Sequence, residues 1–228
     1  MDINMKKAFA IMALMAAPLA AQGAAVHYTD EGLFSAALND SVVDSFADLD
    51  LDDVETPVNR TVTSTGGTEY TYEVDTQSNV WVLADGASGQ WIAVDNPFDD
   101  LDFSTFSPNI TAIGGYFFNT DFWGGMAIGD LDIKLTDSLG NEFAFLIVNA
   151  MPTTFSGFTL TEGFIDSLSI EAVNTGTSYR LANFATASNL IFGTTDQGPA
   201  AVPAPLGVGL LGLGLLGLGI IRRTPAAA

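Results

Sequence analysis

The chain has no cysteine and a single histidine, His27, close to its N-terminus. Disulfides are therefore excluded, as are zinc sites built from Cys and His and nucleophiles activated by a Cys-His or Ser-His-Asp arrangement. His27 is expected to be an ordinary residue of a mobile N-terminal segment. Positive charge is scarce, with seven Lys and Arg against 27 Asp and Glu. No basic cluster is present to neutralise phosphates, so nucleic acid is excluded as a partner. No Gly-rich phosphate loop follows a strand and opens a helix, and no internal repeat is evident.

The apolar residues are concentrated first at the two ends. Lys6 and Lys7 precede an uninterrupted apolar run, Ala8 to Ala17, closed by Pro18 and small residues up to Ala25. A basic start, a roughly 7–15-residue apolar centre and a small-residue exit form the pattern of a secretory signal peptide. Residues 1–25 are assigned to it, with the mature start expected near Val26 and signal peptidase as a partner. At the other end, the sixteen residues Leu206 to Ile221 are only Leu, Gly, Val and Ile, and Arg222 and Arg223 follow. This run is short for a membrane span, which needs about 17–25 residues, and just suffices with part of Ala200 to Pro205. Arginines directly after it favour cytoplasmic retention and leave the preceding domain outside. No two of its glycines are four residues apart, so a GxxxG packing face is absent.

Removal of both ends sharpens the charge. Of the 27 acids only Asp2 is lost, whereas only Arg60, Lys134 and Arg180 remain of the seven bases. The exported part thus carries a net charge of about −23, which suits extracellular solubility and attraction of cations.

The tail resembles the PEP-CTERM sorting signal read by exosortase-type transpeptidases. The matching pieces are Val202, Pro203, Ala204 and Pro205, the Leu/Gly helix 206–221, and the basic pair Arg222 and Arg223. Val-Pro-Ala-Pro is a variant, with Ala204 where the commonest form has Glu. The resemblance implies an inner-membrane-anchored precursor, then cleavage and transfer to the cell surface or the extracellular space. The alternative is a plain single-pass anchor that is never cleaved.

Between the ends, one helix is expected, capped by Thr29, acidic at Asp30 and Glu31, and apolar at Leu33, Phe34, Ala37 and Leu38. Strands follow. Tyr70, Tyr72 and Val74 alternate with Thr71, Glu73 and Asp75; Leu131, Ile133 and Leu135 alternate with Asp130, Asp132 and Lys134; Leu168 and Ile170 alternate with Ser167 and Ser169. Phe143 to Val148 is apolar throughout and is expected as a central strand covered on both faces. Turns are placed at Gly66-Gly67 and at Asp137–Asn141. The pattern implies an all-β sandwich or jelly roll over residues 26–193 with one short N-terminal helix, a linker at 194–201, and the tail at 202–228. The order Phe34, Leu38, Val42–Phe46, Ile110–Phe118, Phe155–Phe158, Ile165–Leu168 and Leu181–Phe184 is similar to the β-sandwich ectodomains that precede PEP-CTERM tails. That resemblance implies a surface protein of exopolysaccharide-making bacteria, with no shared catalytic residues.

Three kinds of chemistry stay open. Two acid-dense segments offer oxygen ligands for calcium: Asp48, Asp50 and Asp52 in the first, Asp95, Asp99 and Asp100 in the second. Neither is an EF-hand, since a loop starting at Asp48 puts Asp53 where Gly is needed and Asn59 where Glu is needed. A glycan platform is conceivable from Trp81, Trp91, Trp123, Tyr70, Tyr72 and Tyr116, although aromatics on strands usually serve the core. Trp123 is the best exception, in a polar, Gly-flanked loop with Asn119 and Asp121. A carboxylate-based glycoside hydrolase needs only two acids at suitable spacing, a criterion too loose to discriminate in so acidic a chain. The expected function is a non-catalytic exported matrix or surface protein that binds exopolysaccharide. The alternatives are that hydrolase, or a purely structural, self-associating matrix protein.

Overall fold

The computed structural model describes residues 24–84, 89–174 and 178–196. Residues 1–23 of the expected signal peptide, all but the first residues of the linker, and the sorting tail lie outside these residues, whereas Ala24 and Ala25, placed at the end of that signal, are described, Ala25 opening the first strand. Among the described residues no helix is long and apolar enough to cross a membrane.

Two antiparallel sheets face each other. One has nine strands and runs β1 (Ala25–Tyr28), β13 (Phe155–Leu160), β9 (Ala112–Thr120), β15 (Phe184–Thr194), β7 (Gln90–Val94), β6 (Val80–Ala84), β3 (Asp52–Val54). β2 (Asp40–Asp44) also pairs with β15, and the two-residue β10 (Met126–Ala127) with β9. The other has six strands in the order β12 (Glu142–Ala150), β11 (Gly129–Asp137), β14 (Ile165–Ala172), β8 (Leu101–Ser107), β5 (Glu69–Asp75), β4 (Val58–Thr63). The all-β sandwich, with one short α-helix among the described residues, agrees with the sequence reading.

Alternation places the core where it was expected. Tyr70, Tyr72, Val74, Leu131, Ile133, Leu135, Leu168 and Ile170 point inward from the six-stranded sheet. They meet Ile92, Val94, Ile113, Phe117, Phe158, Leu190 and Phe192 from the nine-stranded one. Burying each such side chain contributes roughly 1.5–3 kcal/mol, and in a chain without cysteine this core holds the sandwich without disulfides. The turns also match. Gly67 adopts φ 87° between β4 and β5, and Gly140 φ 83° between β11 and β12. The Asp137 carboxylate accepts bonds from the amides of Leu139 (2.9 Å) and Asn141 (2.8 Å), closing the second turn.

Four expectations are corrected. The helix α1 spans Glu31–Ala36, and its cap is Asp30, not Thr29, because the Asp30 carboxylate accepts from Leu33 N at 2.8 Å. Its buried face reduces to Phe34, while Leu33 is 67% exposed. Phe34 fits over Gly114 and Gly157, where a Cβ would come within 3.0 Å and 2.6 Å of its ring.

Phe143–Val148 is not a central strand. It belongs to β12, the edge of the six-stranded sheet, bonded to β11 alone. Phe145 and Ile147 pack toward the core, whereas Leu146 and Val148 are 62% and 60% exposed. A run apolar on both faces looks the same in sequence whether or not its second face is covered.

His27 is not in a mobile segment. It sits in β1, stacked on Phe158 with ring centroids 4.9 Å apart and within 3.2 Å of Ser156 Oγ. Burial lowers its pKa from the ordinary 6.5.

Finally, Asp48 joins an ion cluster around Arg60. That arginine is buried on β4 and donates two bonds to Asp44 (2.8 and 2.9 Å) and two to Asp48 (2.7 and 3.0 Å). The Tyr72 hydroxyl donates to Asp44 at 2.7 Å. Burial alone pulls the guanidinium pKa down, but the bonds to Asp44 and then Asp48 outweigh it and hold it above its ordinary value. For Asp48 the bond to Arg60 leads, and its pKa is lowered.

Candidate functional site

The aromatic residues that sequence alone groups together are divided three ways by the fold. Tyr70 and Tyr72 are core. Trp91 and Tyr116 line a cleft on the outer face of the nine-stranded sheet, Trp81 lines a second recess, and Trp123 stands on a loop beside that recess.

The cleft arises from a break in alternation along β15. Ala185 and Ala187 face the core, and strict period two would turn position 189 inward next. Instead Leu190 and Phe192 face the core, with Ile191 outward. The extra residue is Asn189, at φ 45°, where β15 slips its register against β9 between Ser188 and Ile191. Asn tolerates this left-handed conformation better than most residues. Such bulges re-aim side chains and often stand beside functional sites. Opposite the bulge, Tyr116 and Phe118 project outward from β9, with Trp91 alongside from β7. Phe118 meets the Trp91 ring edge to face at a centroid distance of 6.1 Å. Met126 of β10 and Pro152 and Thr153 of the β12–β13 loop complete the walls of a cleft of about 310 Å³.

Its polar groups are few and uncommitted. Trp91 is only 3% exposed, and its indole N–H has no hydrogen-bond partner among the described residues. The side chains of Thr153, Ser188 and Asn189 are likewise hydrogen-bonded to no other group among the described residues. An orphaned buried donor costs about 1–3 kcal/mol, and each such group in a native fold calls for an explanation. Tyr116 is anchored instead. Its hydroxyl donates to Glu31 of α1, and that bond, with burial second, raises the phenol pKa and keeps it protonated. Among the described residues no carboxylate or basic side chain lines the cleft.

The second recess, about 270 Å³, is lined by Asp52, Trp81, Asp95, Phe122, Tyr179 and Phe184. Beside it stands the 121–125 loop. Asp121 accepts from the amides of Trp123 (2.9 Å) and Gly125 (2.8 Å) and so shapes the loop itself. Gly124, at φ 77°, lies against Leu83 and Trp81, where a Cβ would come within 3.0 Å of Leu83 and 3.4 Å of Trp81. Trp123 is 71% exposed and meets Phe122 edge to face. The ring is thus exposed, the less common outcome for an aromatic residue. Asn119, expected beside it, is 0% exposed, and both its amide atoms are buried and unpaired, so it is not a surface contact.

The acidic segments separate in a way the sequence does not reveal. Only Asp52 and Asp95 line a common recess. Asp48 binds Arg60, and Asp50 is exposed. Asp99 is buried, accepting from Asn96 at 2.8 Å with one carboxylate oxygen unpaired. Asp100 has its pKa raised, first by burial and then by the charge of Asp102. Among the described residues no group of three or more His, Asp or Glu is gathered to hold a metal ion.

The fold and these recesses define an antiparallel two-sheet sandwich with two aromatic recesses. No family model matches the chain, and no curated protein matches it. Two solved structures are similar at low level. One is a mutant of a family 29 carbohydrate-binding module, at 11% identity and a TM-score of 0.34, covering 66% of this chain and 97% of that one. The other is a xylan-binding family 22 module from Paenibacillus barcinonensis, at 14% identity and a TM-score of 0.29, covering 60% and 96%. No residue role is transferred from either.

Proposed function

We propose that the chain is an exported, non-catalytic surface or matrix protein that binds neutral polysaccharide in the cleft beneath Asn189. The carrying observation is an uncharged, aromatic-floored cleft whose buried indole N–H and three other polar side chains have no partner among the described residues. Aromatic faces suit the apolar faces of sugar rings, and a few placed polar groups supply orientation. In a domain of about −23 charge, a lining without carboxylates disfavours both a cationic ligand and two-acid glycoside hydrolysis at that position. The export signal 1–25 and the exosortase-type sorting tail 202–228 remain part of this proposal. Mass spectrometry of the mature termini, with and without the sorting peptidase, tests them.

The binding test uses the full chain on immobilised polysaccharides. Saturable binding is expected, with about tenfold loss in Trp91→Phe, which keeps a ring but removes the N–H. Absence of binding, or binding indifferent to Trp91→Phe, overturns the reading. No release of reducing ends is expected; measurable hydrolysis restores the glycosidase alternative. Calcium belongs to the proposal only as a counter-ion to the acidic segments, and titration calorimetry showing neither heat nor a melting shift removes it.

A specific observation also favours self-association. The β12 edge exposes Leu146 and Val148, unprotected by Lys or Pro, and such edges pair readily with another chain. Because the chain lacks cysteine, L146C under mild oxidation is a clean test. A covalent dimer supports pairing of two β12 edges; monomer throughout removes it.

A further inference from the structure

The geometry points to a second binding site, in the recess of Asp52, Trp81, Asp95, Phe122, Tyr179 and Phe184, for an organic ammonium ion of the choline type. The site is independent of the polysaccharide cleft.

The walls are rings set steeply against one another. Phe122 meets Tyr179 at 76° with centroids 5.6 Å apart, and Tyr179 meets Phe184 at 81° and 5.5 Å. Trp81 adds the fourth aromatic wall. Rings set near right angles present both faces and edges to one volume, the arrangement that holds a quaternary ammonium by its attraction to aromatic faces. Tyr179 is fixed in this orientation because its hydroxyl donates to the backbone carbonyl of Asp95. The wall already attracts one cation of the chain itself, since the Arg180 guanidinium lies 5.7 Å from the Phe122 centroid.

Charge selects the ligand class. Asp52 and Asp95, one from each acid-dense segment, enter the same lining. Two carboxylates favour a cation over a neutral sugar, and the acidity of the whole domain raises cation concentration nearby. They do not favour calcium, which needs six to eight oxygen ligands, whereas Trp81, Phe122, Tyr179 and Phe184 make most of the lining aromatic. A weakly hydrated ammonium with no N–H groups to satisfy fits carbon walls with charge alongside. The volume, about 270 Å³, lies just below the roughly 300–1,000 Å³ of small-molecule pockets, which limits the occupant to a small headgroup.

The test compares choline with its neutral isostere 3,3-dimethylbutan-1-ol, titrated calorimetrically against the full chain in a polyoxyethylene detergent. Saturable choline binding is expected, with the alcohol at least tenfold weaker. D52N and D95N should each weaken choline several-fold and leave the alcohol unchanged. Phe122→Leu should weaken choline at least fivefold. Arg180→Gln, which removes the competing guanidinium, should strengthen choline about two- to fivefold, and it guards against reading a misfolded variant as lost binding. No choline binding to the wild-type chain, equal affinity for the two probes, or indifference to both aspartate substitutions overturns the proposal. Any of these results leaves the polysaccharide reading intact, because no residue is shared between the recesses.

Discussion

Two aromatic recesses of similar size sit on this sandwich and differ in charge. The cleft on the sheet face has Trp91, Tyr116 and Phe118 with uncharged polar groups, and the recess beside Trp123 has Trp81, Phe122, Tyr179 and Phe184 with two carboxylates. In the two proposals, aromatic content marks the candidate sites and charge distinguishes the class of ligand each would take. The origins of the recesses differ too. The cleft depends on one bulged residue within a strand, whereas the second recess is assembled from β3, β6, β15 and three connecting segments.

The largest expected effect erases the contrast by removing the common scaffold. Arg60→Ala leaves Asp44, 2% exposed, as an unpaired buried charge. The cost is about 3–5 kcal/mol, or a melting-temperature fall of roughly 6–20 °C. Scanning calorimetry should show this, with both binding activities lost in the same transition. If either survives the unfolding of the other, the two recesses do not share one cooperative domain.

Next in size, Ser188→Asp puts charge into the uncharged cleft. Polysaccharide binding should fall at least tenfold while choline binding is unchanged, as read by paired titrations. Equal loss of both would show that the contrast between the recesses is not one of local charge. A smaller effect is expected of Asn189→Gly, which relieves the positive φ but removes an amide from the cleft. The melting temperature should hold or rise by about 1–3 °C, with polysaccharide binding weakened about two- to fivefold.

The smallest effect separates fold from sites by pH. His27 has a folded pKa lowered by burial from 6.5, so the unfolded chain takes up its proton first as pH falls. Stability is then fully present above about pH 6.5 and declines below it, through the lowered folded pKa. His27→Gln should flatten the melting-temperature profile between about pH 7 and 5. Neither recess is lined by a histidine, so choline and polysaccharide binding to the folded chain should not follow that decline.

Much of the sandwich was legible residue by residue. Period-two alternation located β5, β11 and β14, and Asp137 with Gly140 announced the turn after β11. The polar, Gly-flanked neighbourhood of Trp123 marks it as the best candidate for an exposed ring, although packing is the commoner fate of such a residue, and the fold exposes it. The cleft on the sheet face is not evident from the sequence reading, although a signal exists: the inward apolar positions of β15 run 185, 187, 190, 192, and the three-residue step marks the bulge. The role of Asp48 was hidden because its partner, Arg60, lies on a strand further along the chain. Asn119 was misplaced because a polar residue next to a loop looks exposed until its strand is seen to be covered.

Composition and periodicity, which act locally, were enough to determine an all-β class and to exclude thiol and imidazole-triad chemistry. They also determined the faces of most strands, since neighbouring side chains on a strand must point opposite ways. Tertiary structure alone decided which strand became an edge, which aspartates met across segments, and which aromatics enclosed space instead of filling it. Those outcomes depend on contacts between residues far apart in the chain, and no local pattern encodes them.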